Sequence, residues 1–578
     1  MATYAAPLKE ISFVLNDVLK VERLSQHLPS FAEATPDLLQ EFIENAAKFA
    51  ENELAPLNAS GDIEGCTRHA DGTVSVPKGF AEAYKKYGEN GYVGISNPAE
   101  YSGLGMPYTL WKVIEEMVCS ANVAFALYPG LTGGCFEALL ANGSDEQKAT
   151  FLPKLSTGEW AGTMLLTEPH AGSDLGSVKT KAIPQADGTY KLEGGKIFIT
   201  SGEHSMTSNI VHFALARVEG APAGVKGLST FVVPKFLINE DGSLGARNPI
   251  TCASIEHKMG IHGSVTAVMN LDGAVGTMVG KPNEGIMNMF VMMNLARIMV
   301  GFQGLGQMEL ATQNALRYAL DRKQPKPIID FPDVRRMILH MKALTEGARV
   351  MAYETAMYVD IAHHHPDAAV REEANDWVEL NTPLVKAFCT DSAVDLGSLG
   401  IQVFGGHGFI AEWGMEQILR DSKILCLYEG TNGIQAMDLV RRKLFLNEGR
   451  LPHRFFAQVK KALADSTQDF ITAPLAVAVE ALEASTNTIQ ATFKASPNAA
   501  SFGCCDYQRA FALTYLGYGW LRMVEAVQGS SDEAFKAAKM ATAHYFASRV
   551  LTSVPSLLAN AALPADDLMH LPAASLAA

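Results

Sequence analysis

Gly162-Thr-Met-Leu-Leu-Thr-Glu-Pro-His-Ala-Gly-Ser-Asp174 marks the point where the pattern of this chain changes. Before it the signals are helical. Asp37-Leu-Leu-Gln-Glu-Phe-Ile-Glu-Asn-Ala-Ala-Lys-Phe-Ala-Glu-Asn-Glu-Leu54 repeats apolar residues at three- and four-residue spacing, and Pro56 is expected to stop that helix. Ser144, followed by Asp145 and Glu146, predicts an N-cap with acids in the first turn. After residue 161, short β-rich runs at 162–167, 196–200, 210–216, 229–233 and 266–271 alternate with turn residues. Such spacing predicts a small sandwich or barrel. Past Pro282 the helical period returns and holds to about residue 445, and 446–578 reads as a further Ala- and Leu-rich helical unit. The expected fold class is therefore α+β, mostly α. Its divisions are an extension (1–35), a helical domain (36–160), a middle β domain (161–281), a helical bundle (282–445) and an additional C-terminal helical domain (446–578).

Bulk properties narrow the function classes. A chain of 578 residues exceeds one domain of roughly 100–200 residues and can bury a deep ligand cavity. With 48% hydrophobic and 19% charged residues, global disorder is excluded. A net charge of −15 argues against nucleic acid as the main partner. The start lacks a basic leader followed by an apolar run, so no secretory signal is expected. The greasiest stretch, 286–306, is interrupted by Asn288, Asn294 and Arg297, which predicts a buried core helix rather than a membrane span. Eight cysteines without a CxxC pair fit a reducing cytoplasm, with neither disulfides nor zinc.

Five constellations can carry chemistry. The run from Met164 to Asp174 leads a strand into a turn with Pro169, Gly172 and the Thr167 and Ser173 hydroxyls. It can approach the edge of a planar heteroaromatic ring closely, or it can be a surface turn with an Asp cap. In Ile197-Phe-Ile-Thr-Ser-Gly202, Phe198 can stack on a ring and Thr200 can hydrogen-bond it; the alternative is an edge strand entering a turn. Leu425-Cys-Leu-Tyr-Glu-Gly-Thr-Asn-Gly433 puts one carboxylate, Glu429, after an apolar run. Apolar surroundings raise a carboxyl pKa, as a base for a weakly acidic C–H requires, whereas a solvated helix start would leave it ordinary. Arg297 stands alone in Met292-Met-Asn-Leu-Ala-Arg-Ile-Met-Val300, and either a structural ion pair or an active-site role satisfies a guanidinium there. Gln402-Val-Phe-Gly-Gly-His-Gly-Phe409 offers backbone amides to phosphates without the P-loop lysine. Two decoys are set aside. His363-His-His365 is expected to be a solvated helix end, and Cys504-Cys505 a pair of buried or half-buried thiols.

The order Thr167-Glu-Pro-His-Ala-Gly-Ser-Asp174, Phe198-Ile-Thr-Ser-Gly202, Asp321-Arg-Lys-Gln324, the 402–409 loop and Leu427-Tyr-Glu-Gly-Thr-Asn-Gly-Ile-Gln435 resembles the acyl-CoA dehydrogenase family over about residues 35–445. The segment after 445 is similar to the family's long bacterial branch. The resemblance implies the acyl-CoA dehydrogenase fold and FAD-dependent α,β-dehydrogenation of an acyl-CoA, with a short chain such as 3-methylthiopropanoyl-CoA preferred. It implies Glu429 as the catalytic base. Met164, Leu166, Thr167, Gly172, Ser173, Phe198 and Thr200 would face the flavin. Arg322, Gln402, Gly405 and Gly406 would hold the FAD of a neighbouring subunit, and Thr431 would also touch FAD. Ser173, Asn294, Arg297 and Gly430 would contact substrate, and no metal is implied. Departures stand at Phe198, where the family usually has Trp, at Arg322-Lys-Gln-Pro-Lys326 in place of Arg-x-x-Phe-Gly, and at Asn294 in place of an acid.

The implied partners are acyl-CoA, an electron-transferring flavoprotein and a second copy in a homodimer, with neither nucleic acid nor stable membrane insertion. The acyl pocket is expected around 101–106 and 125–137, shortened by Tyr128, Leu131 and Phe136. The competing readings are a short- or medium-chain fatty acyl-CoA dehydrogenase, an oxidase on the same fold and a DNA-binding stress flavoprotein. DNA binding would need a basic C-terminal face, but the residues from Leu451 onward hold nine Lys and Arg against ten Asp and Glu.

Overall fold

The computed structural model describes residues 2–577, which form two compact units. One is Asn45–Met299; the other comprises the residues up to Glu44 together with those from Val300 onward.

The expected helix over 37–54 is present as Pro36–Phe49, continued by one wide turn, Ala50–Leu54. Pro56 does not end the helical path as expected. It is the first residue of the next helix, Pro56–Glu64, where its missing N–H would have no partner in any case. Tyr108–Asn142 is helical on either side of a kink at Asn122, whose backbone leaves the helical region (φ −161°, ψ 91°). The Asn122 side chain then accepts the Phe125 N–H at 3.0 Å and starts the second arm. Ser144 caps Asp145–Ser156 as expected, completed by Gln147: Ser144 Oγ accepts from the Gln147 N–H, and Gln147 Oε1 from the Ser144 N–H.

The middle of the chain closes into a barrel. Thr266–Val279 pairs with Tyr190–Thr200, which pairs with Lys181–Pro184 and so reaches Asn209–Val218. Leu228–Pro234 bridges Asn209–Val218 back to Thr266–Val279 and completes the ring. Trp160–Leu165 lies parallel to Asn209–Val218, and Ile250–Ile255 extends the other side. All five expected strand runs lie in this sheet. Leu228–Pro234 is buried along its whole length, including the polar Ser229 and Thr230, so its sequence shows no alternation of buried and exposed residues.

The second unit is helical. Pro332–His364 and Ala368–Phe404 pack along the final part of Gly285–Asp321. A Cβ at Gly304 would lie 2.7 Å from the Cys389 backbone, so only glycine allows this approach. The chain after 445 forms Arg450–Asp465, Asp469–Thr492, Cys504–Val527, Glu533–Tyr545 and Val554–Ala561. Cys504–Val527 is the buried centre of this set and packs on Pro332–His364, with Trp520 Nε1 donating to the Ala343 carbonyl at 3.0 Å. Buried Lys539 pairs with Glu10 and, at 2.8 Å, with Glu346, tying the N-terminal extension to the added helices and the bundle.

Tyr108–Asn142 and Gly285–Asp321 are long and apolar enough to cross a membrane. However, 89% and 67% of their most apolar windows lie inside the fold, as expected of core helices. His363 and His364 end a helix, and no metal-binding cluster occurs among the described residues. Cys504 is buried, whereas Cys505, expected to be at least half-buried, is exposed because it faces outward in the first turn of its helix.

Candidate active site

One group of candidate residues is built on the barrel. Met164 is half-buried near the end of Trp160–Leu165, Leu166 is buried, and Thr167 is half-buried where the strand enters its turn. Gly172 and Ser173 stand exposed beyond it. Glu168 fixes this turn. Its carboxylate accepts from the Lys179 N–H (2.8 Å), the Thr180 N–H (3.0 Å), the Thr180 hydroxyl (2.6 Å) and the Lys196 ammonium (2.9 Å). Burial opposes its charge, but Lys196 and the other donors win and hold its pKa down to about 2. Lys196, itself pushed down to about 8 by burial, also donates to the Leu166 and Leu215 carbonyls.

Phe198 sits two residues beyond Lys196, on a bulge. Ile197 and Phe198 together face the single residue Val268 of Thr266–Val279. Phe198 takes a left-handed backbone (φ +59°) and its ring is 60% exposed. The Ile197 N–H donates to the Thr167 carbonyl at 2.9 Å, which sets the ring beside the turn. Thr200 is half-buried and its carbonyl accepts from the Thr163 hydroxyl at 2.5 Å. A large aromatic held outward at an unfavourable φ has no packing reason in the barrel itself and suits a flat ring. Leu131 and Phe136, expected to wall the acyl pocket, share one apolar cluster with Leu166 and Met164. Tyr128 is committed to the core: its hydroxyl donates to the Gly263 carbonyl and accepts from the Val265 N–H, both at 3.1 Å. Buried Arg297 donates to Asn294 one turn earlier at 3.4 Å and lies over the Phe290 ring.

A separate group, in the helical unit, is the Glu429 loop. A short turn, Ile424–Cys426, ends an apolar run, and Thr431 then caps Asn432–Arg441 by accepting the Ile434 N–H at 3.3 Å. Between them Glu429 (φ +55°) and Gly430 (φ +85°) are both left-handed, a conformation that costs a non-glycine residue roughly 1–2 kcal/mol. Packing pins the loop on both sides. Tyr428 donates its hydroxyl to Gln303. The fully buried Lys386 donates to the Gly430 carbonyl at 2.8 Å and to Asn432 Oδ1 at 2.7 Å. Asn432 in turn donates to Thr390 Oγ1 (2.9 Å) and Asp391 Oδ1 (2.6 Å). The Glu429 carboxylate is left half-buried at the head of a helix. Lys386 belongs to none of the five constellations, yet it carries a signal in the sequence as the lone charge in Pro383-Leu-Val-Lys-Ala-Phe388.

Within this helical unit, Arg322 and Gln402 are exposed. Gly405 (φ +60°) and Gly406 are also exposed, and a Cβ on either would meet nothing within 4 Å. Tyr318 stacked on Phe404 and His407 stacked on Trp413 form the floor of this loop, joined by a 2.9 Å Tyr318–His407 hydrogen bond. Open glycine backbone offers N–H groups to an anionic group such as a phosphate.

The barrel by itself presents a strand-edge aromatic platform, and the helical unit by itself an anchored loop carboxylate and open glycine backbone. Comparison with known proteins supplies the class. Models of the acyl-CoA dehydrogenase N-terminal, middle and C-terminal domains match residues 36–159, 163–274 and 283–444, and an acetyl-CoA dehydrogenase C-terminal-like model matches 455–572. The chain belongs to the acyl-CoA dehydrogenase family and is an FAD-dependent oxidoreductase acting on CH–CH donors. It is 43% identical over 571 residues to the 3-methylmercaptopropionyl-CoA dehydrogenase of Ruegeria pomeroyi, covering 95% of this chain and 96% of that protein. It is 33% identical to a butyryl-CoA dehydrogenase of Syntrophomonas wolfei, covering 95% of each. Among solved structures, an acyl-CoA dehydrogenase from Bacillus anthracis complexed with FAD superposes with a TM-score of 0.76 at 22% identity, covering 93% of this chain and 90% of that one. The fold class expected from the sequence is thereby met.

Proposed function

We propose that the protein converts 3-methylthiopropanoyl-CoA to its trans-2-enoyl-CoA, with Glu429 as the base that takes the α-proton. The observation that carries this is the Glu429 loop. A carboxylate half-withdrawn from water and held in one strained conformation by Lys386 and Tyr428 is a preorganised base. FAD, when bound, accepts the β-hydrogen as hydride. Phe198, Thr200, Met164, Leu166 and Thr167 would hold its ring, with Gly172 and Ser173 at the turn. Ser173, Asn294, Arg297 and Gly430 would orient the acyl-CoA. Arg322, Gln402, Gly405, Gly406 and Thr431 would hold the FAD phosphates and adenosine end, the first four from the second copy of a homodimer. An electron-transferring flavoprotein would take up the electrons, in the cytoplasm. The domain divisions at 35, 160, 281 and 445 belong to the same reading.

The substrate assignment is supported by the 43% identity with the Ruegeria pomeroyi enzyme along nearly the full length of both chains. The 33% full-length relative named for butyryl-CoA supports a second substrate, a plain short acyl chain. The two thioesters differ little in shape, and pockets discriminate weakly at that scale. An anaerobic panel of 3-methylthiopropanoyl-, butyryl-, octanoyl- and palmitoyl-CoA, following bleaching of the flavin band, ranks them. Glu429→Gln is expected to keep FAD and lose bleaching. A mutant that bleaches like wild type, or wild type that bleaches fastest with palmitoyl-CoA, overturns the reading.

A further inference from the structure

The helical unit contains a cavity of about 540 Å³ that none of the candidate site residues lines. Its walls come from the N-terminal extension, the helix Pro332–His364, His365 and Val370 just beyond it, and the added C-terminal helices, which supply Gln458, Tyr518 and Arg522. Its apolar lining includes Leu24, Leu28, Met357 and Ile361, and its charged lining is Lys20, Arg23, Arg522 and Glu354. Its one carboxylate, Glu354, is neutralised, since it accepts from Arg522 Nη1 and from the Tyr515 hydroxyl, both at 2.7 Å. Lys20 and Arg23 line the same cavity, and neither pairs with a carboxylate among the described residues. Lys20 is moreover held in a left-handed conformation (φ +59°) that an ordinary chain turn would assign to glycine or asparagine.

We infer that this cavity binds a single-chain anionic amphiphile, an aliphatic chain ending in a carboxylate or a phosphate monoester. The chain would lie along Leu24, Leu28, Met357 and Ile361, with the head group between Lys20, Arg23 and Arg522. Three features select this class. The volume lies within the range that encloses a whole small ligand, roughly 300–1,000 Å³. The apolar wall excludes a fully hydrophilic anion such as free phosphate as the best fit. Two cations with no carboxylate partner among the described residues disfavour a cationic or neutral head. The site lies apart from Glu429 and does not depend on the catalytic assignment.

The test uses the full-length, FAD-loaded protein and calorimetric titration with dodecanoate and dodecyl phosphate, against dodecanol and dodecyltrimethylammonium. Both anions are expected to bind at one site per chain, and the tighter of the two identifies the head group. Lys20→Glu/Arg23→Glu, two exposed positions that leave the fold intact, is expected to weaken binding at least tenfold with unchanged dehydrogenase activity. Met357→Trp, which fills the cavity, should abolish binding. Binding that survives both variants places the amphiphile elsewhere, in the acyl site for example, and overturns the inference. Equal binding of the cationic amphiphile, or none by either anion, overturns it as well.

Discussion

Lys386→Met isolates the positioning of the proposed base, Glu429, from its chemistry. Lys386 is fully buried and its ammonium holds the Gly430 carbonyl at 2.8 Å and Asn432 Oδ1 at 2.7 Å. Methionine fills similar space but donates nothing, so the Gly430 carbonyl loses a charge-assisted partner worth about 1.5–3 kcal/mol. Asn432 keeps Thr390 and Asp391, so the helix start survives. The loop also carries the left-handed Glu429, which relaxes once the anchor is gone. A loss of about 2 kcal/mol from the positioned loop corresponds to about a 30-fold fall in kcat. Removing a buried charge also removes its desolvation cost, so global stability should change little. The assay is steady-state reduction of an artificial acceptor with 3-methylthiopropanoyl-CoA, together with FAD content and Tm. The expected result is kcat down roughly 30-fold, KM within about twofold, and FAD and Tm near wild type. A variant with kcat near wild type, or one that loses FAD and Tm in step with activity, refutes a positioning role for Lys386.

Other outcomes follow from the same geometry. Phe198→Ala should weaken FAD binding roughly tenfold, the worth of one aromatic stack, while Tm of the FAD-free protein moves by at most a few degrees because the ring is mostly exposed; fluorescence titration of FAD checks it. Burial lifts the Glu137 carboxyl to about 7, so the folded state holds a proton that the unfolded chain releases from about pH 4.5, and stability falls as pH rises between those values. Glu137→Gln should therefore gain Tm relative to wild type as pH goes from 4.5 to 7, and a pH-independent difference in thermal melts contradicts this. Glu168, held down to about 2, has the opposite sign: its contribution is full above about pH 4.5 and fades as pH falls toward 2. Glu168→Gln should flatten the acid limb of the Tm–pH curve and, by loosening the turn, lower FAD affinity.

The helix–sheet–helix order and the chemistry of the site residues were legible because hydrophobic period and turn residues are local properties. The 3.6-residue pattern of 37–54 needed no partner to be read, and the five strand runs all fell within the barrel. Pro56 was misjudged because a proline that ends one helix and a proline that begins the next look alike without the chain direction after it. The short strand Lys181–Pro184 was missed for a related reason, since it is four residues long and takes its place through its neighbours rather than its own pattern.

What the sequence alone determined was therefore the kinds of elements, their order, and a set of residues able to bind a ring and take a proton. Only the tertiary structure decided how those residues are held. Leu228–Pro234 closes the ring by pairing with strands on either side, a choice set by burial of both its faces. A two-against-one bulge turns Phe198 outward, which period-two alternation cannot express. Lys196 and Glu168, 28 residues apart, and Lys386 and Gly430, 44 apart, meet because a buried charge must find its partners wherever packing places them. That requirement acts through space, so the sequence pattern can mark a lone lysine but cannot say what it holds.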